Sequence, residues 1–318
     1  MSSSKYYTVD DLIASVKQRG LIPTGQITFN DNDILRFANE EIRENLSALI
    51  LGCREDFFLT YADIHLNGSR SYAIPYRSLG SKIRIAKPVN TDNDGNYREG
   101  TPLVPVPLDN SYDVANVNYS PTYGVGYYIK DNEFVLIANN NSLTSNIIRL
   151  YYYLRPNDLV ALNRTSKISS IDFDTNSVVV EKVPSNINSS QLLDIVQALP
   201  NHKIYSFDQT ATVNTLTKTI TFANDLPEAL MVGDYICTAG ETPTPQIPVD
   251  IIPILEQSVV CKVLEALGDT EGLKNAYARL EKLEKNLYKI IDNRIESPGK
   301  KIVNYGSLLR SRNRFRYY

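Results

Sequence analysis

Apolar positions along the chain repeat with one period at its two ends and another in its middle. Thr8-Val9-Asp10-Asp11 reads as a capping box opening a helix with apolar positions at Leu12, Ile13 and Val16. Gly20 and Pro23 end that helix. Asn30-Asp31-Asn32-Asp33 supplies a second N-cap with acid in the first turn, which suits the helix dipole. Ile34, Leu35, Ala38, Ile42, Leu46, Leu49 and Ile50 follow at helical spacing. After Pro248 the helical period returns. Ile252, Leu255, Val259, Val263 and Leu267 lead to Gly268, a natural C-cap, and a further helix carries Leu273, Ala276, Tyr277, Leu280, Leu283, Leu287 and Ile290.

Between these ends the pattern is that of strands joined by turns. Ser71-Tyr72-Ala73-Ile74, Lys82-Ile83-Arg84-Ile85, Phe134-Val135-Leu136-Ile137 and Ile147-Ile148-Arg149-Leu150-Tyr151-Tyr152-Tyr153 are each bounded by Gly, Pro, Asn or Asp. Residues 87–107, rich in Asn and Pro, read as a surface loop. A weak internal repeat pairs 168–184 with 205–227, each a hairpin whose second strand is rich in Thr, Val and Ile and which closes on a proline. The segment 191–199 between them reads as a short helix. The expected fold class is therefore α+β: a helical bundle core formed by N- and C-terminal helices, a large antiparallel β-rich insertion, and an extended C-terminal tail. The expected division is N-terminal helices over 1–56, the β-rich insertion over 57–247, C-terminal helices over 248–296 and the tail over 297–318.

Composition changes this picture little. The 318 residues give ample capacity for a core, and the net charge of −3 carries no global nucleic-acid signature, so any basic site has to be local. Tyr occurs 21 times against 9 Phe and no Trp, and Tyr suits both strands and interfaces. Cys53, Cys237 and Cys261 are far apart, without metal-ligand spacing, and read as thiols in a reducing compartment. With no signal-peptide core and no apolar run near the roughly 20 residues that span a bilayer, assembly in a cytoplasm is expected, away from membranes.

Chemistry is sparse. His65 and His202 have no acid or cysteine at ligand or triad spacing. Asp92-Asn93-Asp94-Gly95-Asn96 hints at a calcium loop but has Tyr97 where the EF-hand pattern needs Gly. Gly124-Val125-Gly126 lacks a following helix, no phosphate loop or nucleophile elbow occurs, and Asp172 and Asp174 fall in a hairpin turn. The chain reads as a non-enzyme with no catalytic residue, cofactor or metal. Two basic features remain. Arg77, Lys82, Arg84 and Lys87 form a local cluster in which Lys82 and Arg84 share a strand face; Arg77, Lys82 and Arg84 are candidate contacts to DNA phosphates or an acidic partner. The tail breaks at Ser297-Pro298-Gly299 and carries Lys300, Lys301, Arg310, Arg312, Arg314, Phe315, Arg316, Tyr317 and Tyr318. Guanidinium forks alternating with rings cannot bury a face of their own but fit the surface of another molecule.

The order of parts resembles the head-to-tail adaptor, or connector, proteins of tailed bacteriophages, in particular the larger podovirus-type adaptors with a β-rich insertion. The resemblance covers nearly the whole chain. It lies in Leu12-Ile13…Arg19, Ile34-Leu35…Ala38-Asn39-Glu40-Glu41 and Ser71-Tyr72-Ala73-Ile74-Pro75…Arg77, then Tyr151-Tyr152-Tyr153-Leu154-Arg155-Pro156…Leu159-Val160 and Val232-Gly233-Asp234. Gln246-Ile247-Pro248, Glu265-Ala266-Leu267-Gly268-Asp269 and Lys300-Lys301-Ile302 complete it. It implies a structural virion protein at the head–tail junction. Neighbouring subunits would form a homo-oligomeric ring, usually of twelve copies, beneath the portal protein. The C-terminal tail would reach onto the portal, and the insertion would face tail or nozzle proteins. Genomic DNA would pass through the lumen without sequence-specific binding. Two other readings stand beside it: a β-rich tail-associated module recognising glycans or tail proteins through tyrosines, and a nucleic-acid-binding protein using the Arg tail.

Overall fold

Helix α1 (Val9–Arg19) starts where Asp11 turns its carboxylate back onto Thr8, accepting from its backbone N–H at 3.2 Å and its hydroxyl at 3.3 Å. Its stripe of Val9, Leu12, Ile13 and Val16 is buried. Helix α2 (Asp31–Glu41) opens on a reciprocal box. Asn30 Oδ1 accepts from the Asp33 N–H at 3.0 Å, and Asp33 Oδ2 accepts from the Asn30 N–H at 3.1 Å. The helix runs on through one π-helical turn (Ile42–Leu46) into α3 (Ser47–Cys53), with the Ser47 hydroxyl donating to the Ile42 carbonyl at 2.6 Å. Helices α4 (Ile252–Leu267) and α5 (Thr270–Ile291) follow the strands. This computed structural model describes residues 7–22, 30–91, 97–106, 125–137, 145–198 and 204–291.

The helices from both ends of the chain share one apolar cluster. Helix α4 lies at its centre, in contact with α1, α2 and α5, and buries nearly every side, including Glu256, Gln257 and Ser258. Leu12, Val16, Ile34, Ile50, Leu255, Val259, Val263 and Leu287 pack there, and Tyr153 and Leu159 enter from the strands. Tyr7 donates its hydroxyl to Glu256 at 2.7 Å across 249 positions of sequence, so this cluster forms only when the ends meet. No helix among the described residues is long and apolar enough to cross a membrane.

The intervening strands are mostly antiparallel and, among the described residues, build two larger cores and a small cluster of Val196, Ala198, Tyr235 and Cys237. β1 (Leu59–His65), β2 (Ser71–Ala73), β3 (Ser78–Thr91), β4 (Tyr97–Glu99), β5 (Val104–Pro105), β6 (Gly126–Lys130), β7 (Glu133–Ile137) and β8 (Ile147–Leu154) form two four-stranded sheets ordered β1-β8-β3-β4 and β2-β7-β6-β5. Ile74, Ala86, Tyr127, Phe134, Ile148 and Leu150 fill the space between them, with the Tyr127 and Phe134 rings stacked at 4.8 Å. β9 (Asp158–Leu159) lies outside these sheets. β10 (Ser166–Asp172), β11 (Ser177–Val180), β12 (Leu193–Val196), β13 (Ile204–Gln209), β14 (Ala211–Asn214), β15 (Thr219–Phe222) and β16 (Tyr235–Thr238) form a seven-stranded sheet, ordered β13-β12-β16-β10-β11-β15-β14, over Ile168, Val178, Leu193, Ile195, Ile220 and Ile236. β9 and β17 (Glu241–Thr242) form a short parallel pair tied to α2, because the Asn39 amide exchanges bonds with the Leu159 backbone at 2.7 and 3.0 Å.

The internal repeat is real in space. Its two hairpins, β10–β11 and β14–β15, pair through β11 and β15, and each is followed by the same turn closed onto a proline carbonyl (Ile187 N–H to Pro184, Leu230 N–H to Pro227). Two expectations are corrected. The segment 191–199, described as far as Ala198, holds strand β12 where a helix was expected: Leu193 to Val196 are all buried, with β13 and β16 bonded on either side, so pairing overrides a helix-like apolar spacing. Of residues 87–107, those described, 87–91 and 97–106, are largely strand. Lys87 to Val89 pair with β8, and Val89 to Thr91 pair with β4.

Candidate interaction surface

A bulge in β3 sets up the outer face of the sheet β1-β8-β3-β4. Gly80 and Ser81 both adopt positive φ, at 61° and 54°, and the register with β8 slips between Ser78 and Ile83 and again before Ile85. Lys82 and Arg84 then emerge together, as their spacing predicts, over the ring of Tyr153. The Lys82 ammonium is 5.3 Å from the ring centroid, and Arg84 Nη1 donates to the Tyr153 hydroxyl at 3.2 Å. Glu55, from the turn before β1, pairs with Arg84 and accepts from the Tyr153 hydroxyl at 3.0 Å. Hydrogen bonding to Tyr153, then Glu55, holds the Arg84 guanidinium above its ordinary value.

One row further along, Tyr61 faces Tyr151 across the β1–β8 ladder with ring centroids 5.9 Å apart. The Arg149 guanidinium lies 4.1 Å from the Tyr61 centroid and makes two 2.8 Å bonds to the Asp63 carboxylate. Lys87 sits 5.6 Å from the Tyr151 centroid and donates to Glu99 at 2.8 Å. Glu99 also accepts from the Tyr151 hydroxyl and, at 3.4 Å, from Arg149. The Lys87 bond, with Tyr151 next, pulls the Glu99 carboxyl down to about 2. Four cations (Lys82, Arg84, Lys87, Arg149) thus face three carboxylates (Glu55, Asp63, Glu99), a net excess of one. Among the described residues, Lys82 alone of the four has no carboxylate partner.

Such a face is poor at tracking phosphates, because its guanidiniums are already neutralised. It is better suited to a protein surface: Tyr61, 50% exposed, stacks with Arg149, Tyr97 on β4 is 61% exposed, and Tyr and Arg are the residue types that dominate interface cores. β1 is also an edge strand, with one side unpaired in the sheet.

Arg77 does not belong to this face. Its side chain, 7% exposed, points into the junction of the β cores. It forks onto Asp194 (Nη1–Oδ2 2.8 Å, Nη2–Oδ1 3.1 Å), reaches Asp208 at 2.9 Å, and packs against the rings of Tyr76 and Phe207. Burial alone would lower this guanidinium, but hydrogen bonding and charge from Asp194 outweigh it and hold it above its ordinary value. Asp194 is fully buried and also accepts from Asn157 Nδ2 at 2.7 Å and from the backbone of Asp208 and Gly240 at 3.0 Å each. Arg77 therefore joins the β2–β3 turn to β12, β13 and the β16–β17 turn, and is not available as a surface cation.

Lys300, Lys301, Arg310, Arg312, Arg314, Phe315, Arg316, Tyr317 and Tyr318 lie outside the described residues, as do His202 and the calcium-like segment 92–96. His65 is exposed at the end of β1, and among the described residues no three His, Cys, Asp or Glu side chains are grouped to hold a metal ion. Cys237 and Cys261 are buried free thiols and Cys53 is half-buried. The sequence reading missed Asp194 and the Tyr61–Tyr151–Arg149 ladder. An acid inside the apolar run Leu192-Leu193-Asp194-Ile195-Val196 was the available signal for the former. No protein-family model matches the chain, and no curated protein matches it.

Proposed function

We propose that this chain is a structural virion protein, the head-to-tail adaptor of a tailed bacteriophage. Twelve copies form a ring beneath the portal and link the capsid vertex to the tail around the DNA channel. The observation that carries the reading is the helical cluster made from both ends of the chain, with all the described strands lying between them in sequence; a basic segment follows α5 in the sequence. In this reading the helices are a bundle core that packs between neighbours, and the β cores extend toward tail or nozzle proteins. The lack of any catalytic constellation in the sequence agrees with a component that works by assembly. A ring closes through heterologous contacts between two different patches of each subunit, and the outer face of β1-β8-β3-β4 offers one such patch.

The test uses the purified chain mixed with a candidate portal ring and imaged in negative stain. The full chain caps the ring. A chain lacking residues 300–318 does not, yet keeps the same thermal transition. Full-affinity capping by the shortened chain would overturn the tail's role, and no capping by either would overturn the adaptor reading. The exposed Tyr61 and Tyr97 favour a second reading, a β-rich tail-associated module that recognises glycans or tail proteins; a glycan array without hits for the full chain counts against its glycan form.

A further inference from the structure

The π-helical turn that interrupts the α2–α3 run opens a cleft of about 440 Å³ against α4 and α5. π-turns insert one residue into a helix and recur at functional sites. The cleft is strongly acidic. Glu41, only 5% exposed, lines it with Glu44 from the same turn and Glu284 from α5. Lys262 is its cation, 3.2 Å from Glu44, 3.6 Å from Glu41 and 3.9 Å from Glu40; Arg36 reaches Glu40 at 3.9 Å from farther out. Burial, then the charges of Glu41 and Glu281, push the Glu284 carboxyl above its ordinary value. Burial with nearby carboxylates does the same to Tyr277 and Cys261 in the cleft wall. Negative charge there is under-compensated.

A second observation is independent of the charges. Ser258 lines the cleft from α4, is 4% exposed, and its hydroxyl has no hydrogen-bond partner among the described residues. A buried hydroxyl without a partner costs free energy that a ligand donor would recover. The cleft is lined by these carboxylates, by this hydroxyl and by the half-exposed Tyr277. That combination matches a planar cation with several donors, which stacks on rings and forks onto carboxylates. A divalent metal is a worse match, since the carboxylates are not grouped for coordination.

We infer that this cleft is a guanidinium-binding site and that its occupant is an arginine of the chain's own 310–316 segment. The choice of occupant rests on reading that segment as a docking tail. Glu284 lies only seven residues before the end of α5 at Ile291, about 10 Å along the helix. Arg310 follows Ile291 by 19 residues, which can span about 60 Å when extended. Reach is not limiting, and tethering supplies the arginines at an effective concentration of order millimolar, which a free basic peptide would have to match. The free subunit thereby holds its tail on its own acidic cleft, and portal binding exchanges one set of contacts for another.

A labelled peptide of residues 309–318 tests this by fluorescence anisotropy. The acceptor is the full chain carrying Arg310→Gln, Arg312→Gln, Arg314→Gln and Arg316→Gln, so that its own tail no longer competes. Saturable binding is expected, weakened about tenfold or more by Glu44→Gln with Glu284→Gln, by Ser258→Ala, and by Lys in place of Arg in the peptide. The wild-type chain should bind the peptide about tenfold more weakly than the four-Gln chain, independent of protein concentration. Absent binding, or binding indifferent to the cleft substitutions, overturns the site. Equal binding by the wild-type chain, or competition that grows with its concentration, overturns the same-chain occupant. Portal capping is scored separately, so failure of the adaptor reading is distinguishable from failure of this one.

Discussion

Replacing Arg77 with Met isolates the contribution of the buried charge network, because Met keeps an apolar stem in the same space. The substitution removes three charge-assisted contacts, two to Asp194 and one to Asp208 at 2.8 to 3.1 Å, together with cation packing on Tyr76 and Phe207. Asp194 remains fully buried, held by the Asn157 amide and the Asp208 and Gly240 N–H groups. Breaking a buried pair by removing one partner costs about 3–5 kcal/mol, and the three neutral donors left around Asp194 put this case near the lower end. At about 2–4 °C per kcal/mol for a large domain, the thermal midpoint should fall by about 6–15 °C. Arg84→Met is the matched control. That arginine and its partner Glu55 are each nearly half exposed, so the same chemical change there should cost no more than about 1 kcal/mol. Thermal melts and urea titrations of the two variants measure the difference. If Arg77→Met falls within about 1 kcal/mol of Arg84→Met, the buried network does not join the two β cores energetically.

Three more outcomes follow from local geometry. Glu99 is depressed from its ordinary 4.5 to about 2, so its bonds to Lys87 and Tyr151 stabilise the fold fully above about pH 4.5 and less as pH falls toward 2. The stability gap between wild type and Glu99→Gln, from urea titrations across pH, should close over that window; a gap constant from pH 7 to 2 refutes the assignment. Burial pushes the Cys261 thiol to about 11 and Cys237 well above its ordinary range, so an aromatic disulfide reagent at pH 8 should titrate at most Cys53 in the native protein and all three thiols in guanidinium; rapid native labelling of Cys237 would contradict the buried sheet position. Gly268 caps α4 at φ 73° with open space where a Cβ would go, so Gly268→Ala should cost about 1–2 kcal/mol from backbone strain alone. Gly52→Ala, in α3 with similar open space, should instead stabilise by up to about 1 kcal/mol, and equal effects at both sites in chemical denaturation would refute the capping argument.

The parts of the fold legible in the sequence are those fixed by contacts close in the chain. Asn30 and Asp33 cap α2 across three positions, Gly268 ends α4 by its own conformational freedom, and the two hairpins carry their turn residues with them. Lys82 and Arg84 were placed on one face by period alone. What the sequence could not show depends on distant partners. Arg77 reads as a surface cation until Asp194, 117 positions on, is brought beside it. The Tyr61–Tyr151–Arg149–Glu99 face is assembled from three strands whose order in the sheet, β1-β8-β3-β4, is not their order in the chain. Strand β12 looks helical locally and is a strand because β13 and β16 offer it both edges.

The same distinction bears on how the molecule is put together. Hairpins β10–β11, β14–β15 and β6–β7 close within a few residues, whereas α1 and α2 must find α4 across nearly the whole chain. The entropic cost of closing a loop grows only with the logarithm of its length, so that separation is a modest thermodynamic burden but a slow kinetic one. It is reduced if the β cores form first and bring Pro243, whose carbonyl accepts from the Val9 N–H, toward the waiting helices. Helix α4 has little polar surface to show in the meantime, since almost all its sides are buried in the finished protein. Were the chain ends to lock last onto this most apolar helix, the fold would have one cooperative closing step, and α5, which carries one wall of the acidic cleft, would be positioned by that same step.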